Sequence, residues 1–124
     1  MNKKVMIVDD DRELLSELEE FLGANGYDVT AVDNSESAFS AVVQNQPDVI
    51  LMDLKMPGKS GFELADEVNR MHKKNNIPVI EMSAFFREDF KSMMKLCGIK
   101  ECLKKPFLVS DAVSAIENVV SRNR

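Results

Sequence analysis

Residues 48–57 read Asp-Val-Ile-Leu-Met-Asp-Leu-Lys-Met-Pro, and this stretch decides the fold. The run Asp48–Met52 is short and largely apolar, is closed by the carboxylate of Asp53, and is followed by a turn signal at Met56-Pro57. Short apolar runs bounded by turn residues are typical of buried strands. The stretch therefore predicts a buried strand that carries Asp53 at its C-terminal tip.

The N-terminus repeats this arrangement. The apolar run Lys4–Val8 leads directly into three acids, Asp9, Asp10 and Asp11. If both strands lie parallel in one sheet, these acids and Asp53 meet at one edge. Asp11 precedes the first helical segment and is better placed to cap that helix than to bind a metal.

Strand-like runs alternate with helical segments along the whole chain, which is typical of an α/β fold with a parallel sheet. The predicted strands are Lys4–Val8, Tyr27–Val32, Asp48–Met52, Pro78–Met82 and Lys100–Leu103. The predicted helices carry apolar faces that include Leu14–Leu22, Ala38–Val43, Phe62–Met71, Phe90–Cys97 and Ala112–Val120. The second helix is expected to start at Asn34-Ser35 and to end before Pro47, the third to run from about Gly61 to Lys73, and the fourth to stop at Gly98. With no linker or repeat visible, we expect one domain over residues 1–124.

Composition excludes several classes of function. The net charge of −5 disfavours direct binding to nucleic acid, which requires a clustered basic face. The two cysteines, Cys97 and Cys102, lack the further ligands that a zinc site needs. They are most simply interpreted as reduced thiols in a cytoplasmic protein. The single histidine, His72, is expected on the surface. The sequence shows no export leader and no long apolar segment, so we expect no membrane insertion.

Ligands of open parallel α/β sheets bind at the carboxyl ends of the strands. The residues predicted at those ends are Asp9, Asp10, Asp53, Ser83 and Lys105. Closely spaced carboxylates repel one another, and an all-oxygen set suits a hard cation, of which Mg²⁺ is the best candidate. A carboxylate beside Mg²⁺ can attack phosphorus to form an acyl phosphate, whose charge an ammonium and a hydroxyl would stabilise.

With these residues in place, the chain resembles a response-regulator receiver domain of two-component signalling. The resemblance depends on four motifs in order, and their spacing makes it specific: Val8-Asp9-Asp10, Asp53 with Met56-Pro57 and Gly61, Ser83-Ala84, and Lys105-Pro106-Phe107. It implies a doubly wound, flavodoxin-like receiver fold with five helices and a five-stranded parallel sheet in the order 2-1-3-4-5.

The resemblance also implies a metal site. Asp10, Asp53 and the backbone carbonyl of Lys55 would bind Mg²⁺, with Mn²⁺ as a substitute, and Asp9 would contribute through water.

The remaining implied roles concern the phosphoryl group. Asp53 would be the phosphoacceptor, Lys105 would pair with the phosphoryl group, and Ser83 would donate a hydrogen bond to it. The peptide before Pro106 is expected to be cis. Such a chain is not a conventional enzyme, because it would catalyse only its own phosphorylation and dephosphorylation.

The implied partners are a sensor histidine kinase or a histidine phosphotransfer protein, and a downstream protein target at the face of helix four, strand five and helix five. We expect a monomer that could dimerise on phosphorylation. The sequence names neither the kinase nor the target.

Some residues depart from the family pattern. Cys102 replaces the aromatic residue that usually stands three positions before the Lys-Pro motif, which puts the coupled aromatic switch in doubt; alternatively, Cys102 merely packs against helix four. Lys55 and Phe85 would flank the approach of the hydrolytic water, or Phe85 could simply pack beside helix four.

Two alternatives remain open at this stage. The chain could be the receiver half of a transcription regulator truncated before its DNA-binding domain. It could also be a small aspartate-dependent phosphatase using Asp9-x-Asp11, although that fold needs more chain and a later acidic pair than Asp111 and Glu117 provide.

Overall fold

The computed structural model describes residues 2–58, 60–71, 77–84 and 91–122. Strands and helices alternate throughout this part of the chain, as the sequence predicts. The strands are β1 (Lys4–Val8), β2 (Asp28–Val32), β3 (Val49–Asp53), β4 (Val79–Ser83) and β5 (Ile99–Lys104). The helices are α1 (Arg12–Ala24), α2 (Ser35–Asn45), α3 (Gly61–Met71), α4 (Lys91–Leu96) and α5 (Val109–Arg122).

The five strands form one parallel sheet in the order β2-β1-β3-β4-β5, which confirms the predicted topology. β1, β3 and β4 occupy the centre, and nearly all their residues are buried. This burial explains why they read as continuous apolar runs rather than as alternating patterns.

Each face of the sheet has its own apolar layer, because successive strand residues point to opposite faces. On one face, α2, α3 and α4 pack over the layer that contains Met52, Val79 and Ile99. On the other face, α1 and α5 cover the layer that contains Leu51, Met82 and Leu103. Both layers are closed to solvent, so polar chemistry is left to the ends of the strands.

The helix boundaries follow local signals. Asp11 caps α1 by accepting hydrogen bonds from the backbone N–H groups of Glu13 and Leu14, which confirms its predicted role. Asn34 caps α2 in the same way through Ser37. α2 ends at Asn45, and its C-cap Gln46 is a non-glycine residue at φ 47°, directly before Pro47.

Some strand boundaries and one burial differ from the sequence predictions. β2, β3 and β4 start one residue later than predicted, and β5 extends by one residue at each end. β3 and β4 also extend one residue further, to Asp53 and Ser83, because the backbone of these polar residues continues the ladder. Val43 was expected in the apolar face of α2, but it is 44% exposed because the stripe that meets the sheet is narrower than the apolar pattern. The predictions for His72, Phe85 and the start of the fourth helix at Phe90 lie outside the described residues.

Within the described ranges, no helix combines the length and the apolar character needed to cross a bilayer. Cys97 and Cys102 are both half-buried and unbonded to each other, which confirms the prediction of free thiols.

Candidate functional site

Backbone hydrogen bonds hold the polar residues at the strand ends in fixed positions. The N–H of Asp9 donates to Val32 O at 3.1 Å, and the N–H of Lys105 donates to Ser83 O at 2.7 Å. Leu54, which follows Asp53, donates to Met82 O at 3.1 Å. The parallel ladder is thus continued past the strand ends, and Asp9, Asp53, Ser83 and Lys105 all lie on the same edge of the sheet.

Three carboxylates converge at this edge. Oxygen atoms of Asp9, Asp10 and Asp53 all lie within 4.8 Å of one another. Asp9 and Asp53 are buried, whereas Asp10 is exposed. Burial, and next the charge of Asp9, raise the pKa of Asp53 above its ordinary value, while Lys105 acts in the opposite direction. Since like charges at this separation disfavour ionisation, the cluster is stabilised by cations.

Lys105 supplies one cation from the tip of β5. Its Nζ lies 2.8 Å from Asp9 Oδ2 and 3.5 Å from Asp53 Oδ2. Burial lowers the pKa of Lys105, but the hydrogen bond and charge of Asp9 outweigh this effect, so its pKa is raised overall. The ammonium therefore stays charged. It contacts Asp9 more closely than Asp53, a pairing that the sequence did not predict.

The loop after β3 packs tightly against its surroundings. The N–H of Lys55 donates to Asp53 Oδ1 at 3.2 Å, and the N–H of Gly61 donates to Leu54 O at 3.0 Å. A Cβ atom on Gly61 would lie 2.9 Å from Leu54 Cα and 3.0 Å from Asp53 O, so only glycine fits this approach. Ser35 of α2 also ties the loop down, because its Oγ donates to Pro57 O at 3.0 Å.

The site has a defined chemical character. Asp9, Asp10, Asp53 and Lys105, all ionised, carry a net charge of −2, which one divalent cation would neutralise. The set consists of oxygen donors, and it contains no sulfur or imidazole ligand among the described residues. Ser83, only 3% exposed, ends the neighbouring strand. The peptide between Lys105 and Pro106 is cis, as expected. Such a site can hold a hard cation beside a nucleophilic carboxylate.

Comparison with known proteins gives the family. The sequence matches the response regulator receiver domain family over residues 5–117, and the chain belongs to that family. The order of the strands is that of receiver domains.

Individual relatives agree with this assignment. The chain is 31% identical over 123 residues to the transcriptional regulatory protein PdtaR of Mycobacterium tuberculosis. It is 31% identical over 122 residues to the phosphate regulon transcriptional regulatory protein PhoB of Pseudomonas aeruginosa. These matches cover 98% of this chain but only 58% and 53% of the two relatives, so the chain spans about half of their length.

A solved structure matches the fold closely. The receiver domain of the Francisella response regulator 1452 superposes with a TM-score of 0.86 at 28% identity, covering 99% of this chain and 100% of that one.

Sequence reasoning missed one buried acid near the site. Glu81 lies in the middle of β4 and is only 2% exposed. The signal was present, because Glu81 interrupts the otherwise apolar run Val79–Met82. Its closest polar neighbour is Cys102, whose Sγ lies 3.9 Å from Glu81 Oε1. Cys102 therefore does more than pack against α4.

Proposed function

We propose that this chain accepts a phosphoryl group on Asp53 from a phosphohistidine of a partner protein, with Mg²⁺ as the required cation. The observation that carries this proposal is the convergence of Asp9, Asp10 and Asp53 within 4.8 Å, with Lys105 Nζ 3.5 Å from Asp53. Membership of the receiver family supports it.

The donor set fits Mg²⁺, and Mn²⁺ would be accepted by the same oxygens. Asp10, Asp53 and the backbone carbonyl of Lys55 are the proposed direct ligands. Asp9 would act through water, because one of its oxygens already pairs with Lys105 and the other accepts from the N–H of Asp11 at 2.9 Å. When bound, the cation supplies charge neutralisation for the acids and for the transferring phosphoryl group.

The reaction needs no general base, since the nucleophile is an ionised carboxylate. An Asp53 oxygen forms a bond to phosphorus as the phosphorus–nitrogen bond of the phosphohistidine breaks, and the imidazole nitrogen takes up a proton. Lys105 is placed to balance the charge on the phosphoryl oxygens, and the Ser83 hydroxyl is proposed to donate a hydrogen bond to one of them. Hydrolysis of the acyl phosphate by water would reset the receiver.

The partner needs access next to Asp53. An open groove of about 410 Å³ lies between the start of α1 and the loop after β5, with Lys105 in its wall. Its lining combines apolar and acidic side chains, which suits an amphipathic helix with basic residues, the kind of surface we propose for a sensor kinase or phosphotransfer protein. The apolar lining residues are Leu14, Ala84, Pro106 and Phe107, and the acidic ones are Asp11, Glu13 and Glu17.

The output face is proposed to be formed by α4, β5 and α5. Leu96 at the end of α4 and Leu108 before α5 are 84% and 70% exposed and would be available to a partner. Exposed lysines, Lys95, Lys100 and Lys104, lie on the same elements. A protein target is proposed to bind there after phosphorylation, in a cytoplasmic setting. Sedimentation with and without a phosphoryl mimic tests whether a resting monomer then dimerises.

The decisive experiment is phosphorylation by a small donor. Incubation with acetyl phosphate and Mg²⁺, followed by intact-mass measurement, should add one phosphoryl group to the wild type and none to Asp53→Ala. Asp11→Ala is the matched control, because it removes a neighbouring acid that only caps α1. Equal labelling of Asp53→Ala and the wild type would refute the assignment.

The proposed metal ligands are tested by comparing alanine variants of two neighbouring acids, Asp10 and Asp11. Asp10→Ala should weaken Mg²⁺ binding in a calorimetric titration, whereas Asp11→Ala should not. The opposite result would place the cation elsewhere.

A second function is favoured by one observation: both curated relatives are transcriptional regulatory proteins about twice as long as the matched region. The chain would then be the receiver half of a transcription regulator, with phosphorylation of Asp53 controlling a DNA-binding domain. Reading the gene to its stop codon distinguishes this from a stand-alone receiver of residues 1–124. Turnover of a phosphate monoester would instead indicate the aspartate-dependent phosphatase.

A further inference from the structure

Glu81 lies on the opposite face of the sheet from Asp53. In the register of β3 and β4, Glu81 pairs with Met52 and Met82 pairs with Asp53, so the alternation of side chains directs Glu81 toward the layer under α3 and α4. On the β5 side it pairs with Cys102. The carboxyl group is therefore held inside an apolar layer, one strand position away from the phosphoacceptor and without belonging to its cluster.

The hydrogen bonding of this carboxyl group is incomplete. Glu81 Oε1 accepts only the weak S–H donor of Cys102 at 3.9 Å, and Glu81 Oε2 is buried with no hydrogen-bond partner among the described residues. A buried carboxylate without partners is costly, so the group is kept neutral. Burial, followed by the charge of Asp53, raises the pKa of Glu81 to about 7.

Few other charges act on it. Cys102 is itself held protonated, since burial and Glu81 raise its pKa to about 11. The charged side chains of α3 and α4 lie on the outer surfaces of those helices, either exposed or half-buried: Glu63, Asp66, Glu67, Arg70, Lys91 and Lys95. Because these charges lie on the outer surfaces, contact with water is what would allow the Glu81 carboxyl group to ionise.

The described part of α4, Lys91–Leu96, lies in the cover between Glu81 and water. It packs against β5, and Met94 is the one buried side chain among those of its residues whose burial is described. Elements that bury little apolar area have low local stability and open first. The residue that pairs with Glu81 on β5 is Cys102, so the carboxyl group lies beside a small thiol.

We propose that Glu81 is a proton-linked element of the receiver's conformational change: it is held neutral beneath α4 in the structure described here, and it releases its proton to water when phosphorylation displaces α4 from β5. The inference rests on the proposed function, since it needs Asp53 to be the site of activation. Activation would then be favoured by rising pH.

The test counts protons. Beryllofluoride with Mg²⁺ serves as the phosphoryl mimic, and its binding heat is measured at about pH 6 in two buffers that differ in ionisation enthalpy, which gives the number of protons released. The wild type should release about one proton more than Glu81→Gln, because the glutamine has the same shape but cannot ionise. Glu81→Met provides a second comparison without amide hydrogens. Both variants keep Asp9, Asp10, Asp53 and Lys105, so protons linked to the acidic cluster cancel in the difference.

The pH dependence of affinity gives a second readout. Between about pH 5.5 and 7.5, the affinity of the wild type for the mimic should rise up to about twenty-fold more than that of Glu81→Gln. Equal proton release by the wild type and both variants would overturn the inference. The buried Glu81 would then lower the stability of the fold without any link to activation. Failure of the mimic to bind the wild type at any pH would overturn the proposed function, and the inference with it.

Discussion

The close approach of Gly61 to the end of β3 gives the sharpest mutational prediction. In Gly61→Ala, the new Cβ would lie 2.9 Å from Leu54 Cα and 3.0 Å from Asp53 O, and both of these are backbone atoms. Backbone cannot rotate away as a side chain can, so α3 or the end of β3 must shift. Overpacking of this kind typically costs about 1–3 kcal/mol, a large share of a domain stability of about 5–15 kcal/mol.

Gly23 provides the matched control. It also lies in a helix, but a Cβ at this position would meet nothing within 4 Å. Gly23→Ala should therefore stabilise the protein by up to about 1 kcal/mol, because alanine loses less backbone entropy in a helix than glycine does. The same substitution at two helical positions is thus expected to act with opposite signs.

Urea unfolding of the two variants measures the difference in the free energy of unfolding directly. Phosphorylation by acetyl phosphate gives the functional readout, since a shift at Asp53 O would also displace the carboxylate and the carbonyl of Lys55. Gly61→Ala should accept phosphate more slowly than the wild type, while Gly23→Ala should not differ from it. If Gly61→Ala matched the wild type in both stability and rate, the loop would have to be less tightly fixed than the structure indicates.

Three further predictions concern stability. Glu81→Gln should leave the free energy of unfolding unchanged near pH 4.5 and raise it at about pH 8 by up to about 3 kcal/mol. The reason is that the pKa of Glu81 is about 7 in the folded protein against an ordinary value of 4.5, so the wild type loses stability as pH rises between these values. Urea unfolding at both pH values would show a constant difference between wild type and variant if the pKa were normal. Without Mg²⁺, Lys105→Met should lower the free energy of unfolding by roughly 1–3 kcal/mol, because the buried Asp9 loses its ion-pair partner. The same variant should bind Mg²⁺ more tightly in a calorimetric titration, because a competing cation is removed. Weaker Mg²⁺ binding would contradict this. Asp11→Ala should cost about 1 kcal/mol in thermal unfolding by removing the hydrogen bonds to Glu13 and Leu14, and no loss would mean that water replaces the cap.

The sequence was sufficient to predict the individual strands and the acidic edge, because both depend on patterns that are local. The strand order, by contrast, came only from the resemblance to receiver domains. Each central strand is a short apolar run, and Asp9, Asp53, Ser83 and Lys105 follow such runs directly. Parallel alignment then brings residues from four strands to one edge without any further information.

The remaining features depend on distances between elements, which no local pattern encodes. Lys105 was assigned to the phosphoryl group, but its ammonium lies closer to Asp9, at 2.8 Å, than to Asp53, at 3.5 Å. This preference depends on how the ends of β1, β3 and β5 come together in the folded protein. Whether Glu81 Oε2 finds a hydrogen-bond donor depends on which side chains α3 and α4 bring to this layer. Similarly, the hydrogen bond from Ser35 to Pro57 joins two segments whose contact appears only in the assembled fold.

The ion pair between Lys105 and Asp9 joins residues 96 positions apart, from the first strand to the last. During synthesis, Asp53 and its acidic neighbours leave the ribosome well before Lys105 does. A nascent chain therefore carries the negative cluster without its internal cation, and it gains that cation only when β5 completes the sheet. The repulsion among the three acids is therefore relieved from within the protein only after β5 has joined the sheet.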